Sequence, residues 1–540
     1  MTGVKPGRHP LRIFRIVTGS VVFILFLAVL TASTMIFAPL RKLLLSLQLF
    51  PAFINSVLAG GTVLLISWGG ILLLTFLFGR VYCSVLCPLG ILQDLFIFIA
   101  GKPGRKGFRY RKNPLWIRLP ILAALITAAL AGSFIMIDLL EPYSLFGRII
   151  HDLGRPLTAL GSHGISRVLE NFGVYTAPWT HPLNIPLVLI SAGILIFLAV
   201  ISVRHGRWFC STLCPAGTVL SLPGKYSRFR ISLNQDACIQ CGKCEGVCRA
   251  GCIDSQEKKV DQGNCVACFD CLSICPADAL EYTRARRAPR RKQYKNSDGV
   301  TRRDFLKRMG SSSAAGAFLS AFPVSFLVKR RNTAADGTSL EPASPPGSGG
   351  INRFTGRCTA CHLCVSRCPT HVLQPSLSEY GLRGIFQPVM DYRTGFCDYQ
   401  CNVCSQVCPT GAIKPVTLEQ KRRIQIGEVR FIQDRCIVFS EGTACGACAE
   451  MCPTHAVHMV PHKGLLTRPE TDVTLCIGCG NCEYACPVEG KKAIYVTGKT
   501  VHSTRRVPEE EKSAPGEPEA DRTDSENGGS SDEGRDGFPF

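Results

Sequence analysis

The first two hundred residues alternate long apolar stretches with short basic ones. Four stretches, roughly residues 13–37, 57–79, 115–140 and 183–203, are almost free of charge. Each holds about 20 residues or more, the length an α-helix needs to cross a bilayer. A fifth, only moderately hydrophobic stretch with several Ser, Ala and Gly residues runs up to Val328. The pattern predicts an α-helical membrane bundle of four spans plus a fifth, joined to small α+β modules. It divides the chain into a four-span membrane domain (1–220), a compact module (221–283), a basic segment with the fifth span (284–331), a Gly/Ser/Pro/Ala-rich flexible linker (332–351), a larger module (352–500) and a polar, acidic, disordered tail (501–540).

Charge orients this plan. Lys5, Arg8, Arg12 and Arg15 precede the first span, seven Lys and Arg residues from Arg80 to Lys112 separate the second from the third, and Arg204 and Arg207 follow the fourth. Only Arg41 and Lys42 lie between the first two spans. The positive-inside rule therefore puts both ends of the four-span bundle in the cytoplasm. The first stretch is too long for a cleaved secretory signal, and no small-residue cleavage site follows it. The net charge of +21 comes with no nucleic-acid recognition motif, so basic flanks of membrane spans account for it better than nucleic acid. Thr301-Arg302-Arg303-Asp304-Phe305-Leu306-Lys307 matches a twin-arginine export signal at Arg302 and Arg303, displaced from its usual N-terminal place. That route carries folded, cofactor-loaded domains, which predicts a region 352–500 outside the cytoplasm behind an uncleaved fifth span. Lys329, Arg330 and Arg331 on the far side of that span run against the charge rule.

Cysteine supplies the chemistry. Six runs of four account for twenty-four of the 29 cysteines. Cys265, Cys268, Cys271 and Cys275 are followed by Pro, as are Cys358, Cys361, Cys364 and Cys368, and Cys476, Cys479, Cys482 and Cys486. Cys238, Cys241, Cys244 and Cys248 keep the spacing with Arg249 in place of Pro. Two runs lengthen the first gap: Cys397, Cys401, Cys404, Cys408 and Cys436, Cys445, Cys448, Cys452. C-x2-C-x2-C-x3-C-P is the bacterial ferredoxin spacing for 4Fe–4S clusters, in which the fourth thiolate serves the neighbouring cluster. Zinc sites use separated C-x2-C pairs, and disulfide frameworks belong to small secreted scaffolds, so six clusters are expected. Cross-ligation predicts one cluster on Cys238, Cys241, Cys244 and Cys275 and another on Cys265, Cys268, Cys271 and Cys248, with Cys252 a packed thiol. For the last four runs, sequential pairing and first-with-fourth, second-with-third both remain open. Cys358-Thr-Ala-Cys361-His362 also reads as a haem-attachment motif, but haem there would strand Cys364 and Cys368. His371, His455, His458 and His462 are expected at the surface or behind ligands.

A second pattern repeats inside the membrane domain. Gly79-Arg80-Val-Tyr-Cys83-Ser-Val-Leu-Cys87-Pro88-Leu-Gly90 returns as Gly206-Arg207-Trp-Phe-Cys210-Ser-Thr-Leu-Cys214-Pro215-Ala-Gly217. Each C-x3-C puts two sulfurs on one helix face. Packed about a pseudo-twofold axis at the cytoplasmic edge, Cys83, Cys87, Cys210 and Cys214 would form a metal or thiol redox site. The alternative is two Pro-terminated helix ends whose cysteines only pack.

Taken together, residues 1–282 resemble the NapH-type membrane ferredoxin, and residues 301–500 resemble the NapG/MauM-type periplasmic polyferredoxin, as though the two were fused. The resemblance implies a quinol-dehydrogenase electron-transfer module in the bacterial inner membrane. It implies quinol as diffusible substrate, and a periplasmic reductase or cytochrome, or a cytoplasmic donor, as partner. Arg249 and the internal leader depart from the pattern. Glu141, Tyr143, His151 and Asp152 lie near a span end and are candidates for proton handling beside a plain interfacial role. A rival reading makes the chain a metal-handling maturation factor that reduces or transfers an ion at the C-x3-C-P thiols.

Overall fold

The computed structural model describes residues 9–31, 38–59, 62–101, 108–111, 115–175, 184–285 and 341–506. The twin-arginine motif, the fifth span and the tail from residue 507 lie outside the described residues.

Among the described residues, two helices are long and apolar enough to cross a membrane: α1 (Pro10–Thr31, 22 residues) and α11 (Ile185–His205, 21 residues). At 1.5 Å per residue they are about 33 and 32 Å long. Both carry Pro in the first turn, where its missing N–H costs nothing, and α11 stops at Gly206, whose φ is 65°. Between them come α2 (Ala38–Ser46), α3 (Leu49–Ala59), α4 (Thr62–Phe78), α5 (Tyr82–Val85), α6 (Pro88–Ile99), α7 (Leu115–Leu130), α8 (Ile135–Leu140), α9 (Pro142–Ile149), a π-turn at Ile150–Gly154 and α10 (Arg155–Glu170). The second and third expected spans are thus helices of 17 and 16 residues, about 26 and 24 Å, shorter than α1 and α11. The third breaks because Gly132 takes a φ of 77°. The chain then continues as α8 and α9, a segment with Asp138, Glu141, Ser144 and Arg148 all buried. Glu141 starts α9: its carboxylate accepts from Ser144 N–H at 2.5 Å, with Pro142 in the first turn. Helix α10 exposes Leu157, Leu160, Ile165 and Val168.

After α12 (Trp208–Thr212) and α13 (Pro215–Lys225) comes the first small module, residues 229–285. Its outer strands β1 (Phe229–Leu233) and β4 (Leu280–Arg284) pair antiparallel, as do β2 (Ile253–Asp254) and β3 (Lys259–Val260). The second module, residues 341–505, holds three antiparallel pairs: β5 (Leu373–Pro375) with β6 (Pro388–Met390), β7 (Ile424–Phe431) with β10 (Ile494–Thr504), and β8 (Val457–Pro461) with β9 (Thr467–Thr471). Its limits are wider than the composition suggested. Residues 341–350, expected as linker, are packed: Ser344 and Ser348 are fully buried, and Ala343 O accepts from Met390 N–H. Pro345 and Pro346 open a turn closed by Ser348 N–H on Pro345 O at 3.1 Å. Residues 501–504, expected in the tail, finish β10.

The modules sit at opposite ends of the two long helices. At the start of α1, Arg12 pairs with Asp270 of the first module; near its end, Val29 O accepts from Arg367 of the second. On α11 the order reverses along the chain. Leu187 packs with Ala360 and Phe386 of the second module, while beyond the far end Arg207 N–H donates to Arg249 O of the first.

A candidate iron–sulfur array and a four-thiol centre

The cluster loops share one backbone solution. In the four regular runs the residues on either side of the second cysteine both have positive φ: Gln240 and Gly242, Ala267 and Phe269, Ala360 and His362, Gly478 and Gly480. Successive reversals of this kind turn backbone N–H groups inward, an anion-binding concavity. Ala360 N–H accordingly points at Cys358 Sγ (3.4 Å) and Gly478 N–H at Cys476 Sγ (3.3 Å). The two lengthened runs have Asn402 and Gly446 at φ of −131° and −130° instead. Three residues after the fourth cysteine the chain again takes positive φ, at Gly251, Asp278, His371, Gly411 and His455. His371 and His455 are therefore turn residues of the loop.

The thiols group across runs. One cavity is lined by Cys238, Cys241, Cys244 and Cys275, another by Cys368, Cys397, Cys401 and Cys404. Cys271 is in electrostatic range of Cys268, Cys265 and Cys248. Cys364 is likewise near Cys358, Cys361 and Cys408, Cys448 near Cys445, Cys436 and Cys486, and Cys482 near Cys479, Cys476 and Cys452. The second module is thereby paired sequentially, first run with second and third with fourth. Cys397 N–H donates to Cys479 O at 2.8 Å, joining the two pairs. Free thiols in fours, inward N–H groups and cavities between them fit 4Fe–4S clusters. Cys252 is a buried extra thiol 3.4 Å from Cys248 Sγ. His362, the residue that suggested haem, is fully buried, and its Nε2 bonds Phe386 O at 2.8 Å.

The C-x3-C-P repeat closes on itself. Cys83, Cys87, Cys210 and Cys214 are all buried, and Cys87 is in electrostatic range of the other three. Two arginines, both fully buried, cross between the halves. Arg207 donates to Cys83 O at 2.6 Å, and Arg80 donates to Cys210 O at 3.3 Å. The glycines of the motif follow from this close fit: a Cβ on Gly90 would strike Cys83 O, and one on Gly217 would strike Cys210 O. Arg207 also forks onto Asp94 through Nε (2.9 Å) and Nη2 (2.6 Å). Arg80 has backbone carbonyls of Gly263 and Cys210 and the sulfur of Cys83 at 3.8 Å, and its Nε has no partner. A buried cation so placed calls for negative charge at the thiols. Burial pushes the Cys210 thiol up to about 11, so the protein alone keeps it a thiol; a metal would deprotonate it. Among the described residues, the one set of three or more His, Cys, Asp or Glu ligand atoms all within 4.8 Å of one another is His151, Asp152 and His362. The basic motif residues Arg80 and Arg207, read above only as topology signals, are the part of this centre that charge counting missed. Asp94 lies seven residues past Cys87 and has Ser221 as its counterpart in the second half, so the repeat gave no sign of it.

These modules define an iron–sulfur protein of the polyferredoxin class, with electron transfer as its function. A family model described as a 4Fe–4S binding domain matches residues 61–106 and 185–234, and one described as a 4Fe–4S dicluster domain matches 396–456 and 441–490. The chain is similar to the ferredoxin-type protein NapF of Escherichia coli (strain K12), 28% identical over 153 residues, covering 28% of this chain and 84% of the relative. It is also similar to the methylamine utilization ferredoxin-type protein MauN of Paracoccus denitrificans (strain Pd 1222), 31% identical over 202 residues, 37% of this chain and 54% of the relative. The methylamine utilization ferredoxin-type protein MauM of Methylophilus methylotrophus is 29% identical over 192 residues, 34% of this chain and 81% of the relative. No solved structure matches.

Proposed function

We propose that this chain is an electron conduit through the bacterial inner membrane, linking lipid quinol to redox partners on either side. One observation carries the reading: each of the two long apolar helices meets the first module at one end and the second module at the other. The basic residues Arg12, Arg15, Arg204 and Arg207 gather at the end that meets the first module, which supports a cytoplasmic site for that module and a periplasmic one for residues 341–505.

Six ligand sets would hold 4Fe–4S clusters: Cys238/241/244/275, Cys265/268/271/248, Cys358/361/364/408, Cys397/401/404/368, Cys476/479/482/452 and Cys436/445/448/486. The centre of Cys83, Cys87, Cys210 and Cys214 would hold a seventh. The family model described as 4Fe–4S binding supports this, because these are the only cysteines within its matched residues. Such clusters supply one-electron storage at potentials set by their surroundings. The chain's own residues space them. Tyr82 is in electrostatic range of Cys87 and Glu141, and Tyr143 of Glu141 and Cys361, so a packed, buried path joins the four-thiol centre to the second module. The metal-handling reading fares worse, since thiols that are 4–5% exposed offer a client no route to an ion.

The test is quinol-driven reduction of the purified protein followed by EPR, with iron counted per chain and a C-terminal tag probed in sealed vesicles. About 28 irons, four per cluster, with quinol-reducible signals and a tag reached only from outside, is the expected result. A full iron content with no response to any quinol would refute the conduit, and a tag reached only from the cytoplasmic side would refute its topology.

A further inference from the structure

A pocket opens where the π-turn at Ile150–Gly154, the first turn of α11 and the second module meet. His151, Asp152 and Arg155 form one wall, Leu187 and Val188 another, and Val365, the residue after Cys364, part of the third. Apolar walls with a few converging polar groups are what a small-molecule site requires. The surroundings are lipid-like: Leu157 and Leu160 on α10 and Ile185 and Leu189 on α11 are all more than 60% exposed.

The polar wall is built rather than incidental. Asp152 is buried, its Oδ2 accepts from Ser191 Oγ at 2.5 Å, and its Oδ1 lies 2.7 Å from His151 Nδ1. An ionised carboxylate can only accept, so His151 Nδ1 carries the proton and Nε2 is left as an acceptor. His362, reaching in from between Cys361 and Cys364, is fully buried. Its Nε2 bonds Phe386 O, its Nδ1 stands 3.8 Å from Asp152 Oδ1, and its ring meets that of His151 edge-on at 5.1 Å. Burial holds His151 at about 4, so it is neutral at physiological pH. The charged and titratable groups around it are Asp152, His362, Arg155 and, across the pocket, His371.

We propose that this pocket binds the head group of a lipid quinol, with His151 accepting its hydroxyl protons and the cluster set of Cys358, Cys361, Cys364 and Cys408 receiving its electrons. The proposal rests on the quinol-linked reading above and gives it a place. In the balanced reaction two O–H bonds of the quinol break, two C–O bonds become carbonyls, and two protons and two electrons leave. Each proton passes to His151 Nε2, forming an N–H bond that Asp152 stabilises through Nδ1, and is then released to water. A cluster held by Cys358, Cys361, Cys364 and Cys408 would serve as the one-electron oxidant and would take the electrons one at a time. Val365, next to Cys364, lines the pocket, so the oxidation site lies against the loop that would hold the electron acceptor.

A photoreactive azido-quinone with a short alkyl tail, irradiated on the intact protein in detergent and mapped by mass spectrometry, reads binding without turnover. Labelling within residues 150–156 or 184–188, competed by unlabelled quinol, is expected. His151→Gln should slow quinol-driven cluster reduction about 100-fold, the low end for losing a general base. Its iron content and its EPR signals after dithionite should match wild type. Val188→Trp, on the apolar wall, should abolish labelling and serves where His151→Gln does not fold. Labelling elsewhere in a wild type that quinol reduces would overturn this pocket alone, as would one non-iron metal ion per chain lost on His151→Gln. A wild type that no quinol reduces would end the quinol-linked reading itself, and the pocket with it.

Discussion

The two iron–sulfur modules are wound from the same loop yet are held to the helical part by different physics. The first adds a network of ion pairs to backbone contacts such as Arg207 N–H to Arg249 O and Arg228 N–H to Phe76 O. Asp270 meets Arg12 and Arg249, both at 2.8 Å, and Asp94 gathers Arg15 (2.6 Å), Arg207 (2.6 Å) and Arg249 (3.0 Å). The second is held largely through backbone. Arg367 caps carbonyls at the end of α1 through Val29 O (2.5 Å), Asn55 reaches Pro409 O (3.1 Å), Arg155 reaches Ser366 O, and Gly147 lies flat against the Cys361 carbonyl. A cation at a helix C-terminus satisfies orphan carbonyls and the helix dipole together. One junction thus adds a few charges to its backbone fit, while the other relies largely on the fit.

Cutting the chain of thiols between the modules is expected to have the largest effect. Changing Cys83, Cys87, Cys210 and Cys214 to Ser should lower the iron count by about four, one cluster, and stop electrons passing from one module to the other. Both modules should keep their own EPR signals. Next comes Asp94→Asn, which leaves Arg207 buried beside a neutral amide. Removing one partner of a buried pair costs about 3–5 kcal/mol, read as a lower Tm or as protease cleavage near residue 229. The same group sets the acid response. Burial alone would raise the Asp94 carboxyl, but Arg207, Arg249 and Arg15 hold it well below the ordinary carboxylate range. Its contribution is therefore full above about pH 4, the ordinary carboxylate value, and fades only as pH falls toward its lowered value. Titrating first-module release against pH checks this.

The backbone-fitted junction is sharpened by Gly147→Val. A side chain there must displace the Cys361 carbonyl, an overpacking cost of about 1–3 kcal/mol, seen as easier release of the second module with the first unaffected. Arg12→Ala should matter least at the charged junction. Arg12 is 37% exposed, so its loss should cost at most about 1 kcal/mol and should vanish at high salt.

Much of this was legible before any coordinates. Cysteine spacing gave the six runs, because thiolate geometry tolerates few loops, and the duplicated C-x3-C-P motif gave the convergence of four thiols. Sequential pairing in the second module was not legible, since it depends on which fourth cysteine reaches which loop. Hydropathy overran at residue 131 because Ile135, Met136, Ile137, Leu139 and Leu140 continue an apolar composition that the chain uses for a buried, bent segment. The charged partners of Asp94 come from helices and loops far apart in sequence, and no local pattern links Arg15, Arg207 and Arg249. Nor did spacing show that His362, in a run that imitates a haem motif, would face Asp152 from more than two hundred residues away.

The crossed arginines have a consequence for how the molecule is made. Arg80 finds its carbonyl on Cys210, and Arg207 finds its own on Cys83. The first motif therefore stays unfinished on the ribosome until the chain has been extended past its twin. Any cluster this centre is to hold would have to be built as the second half arrives, before the two halves shut around the thiols.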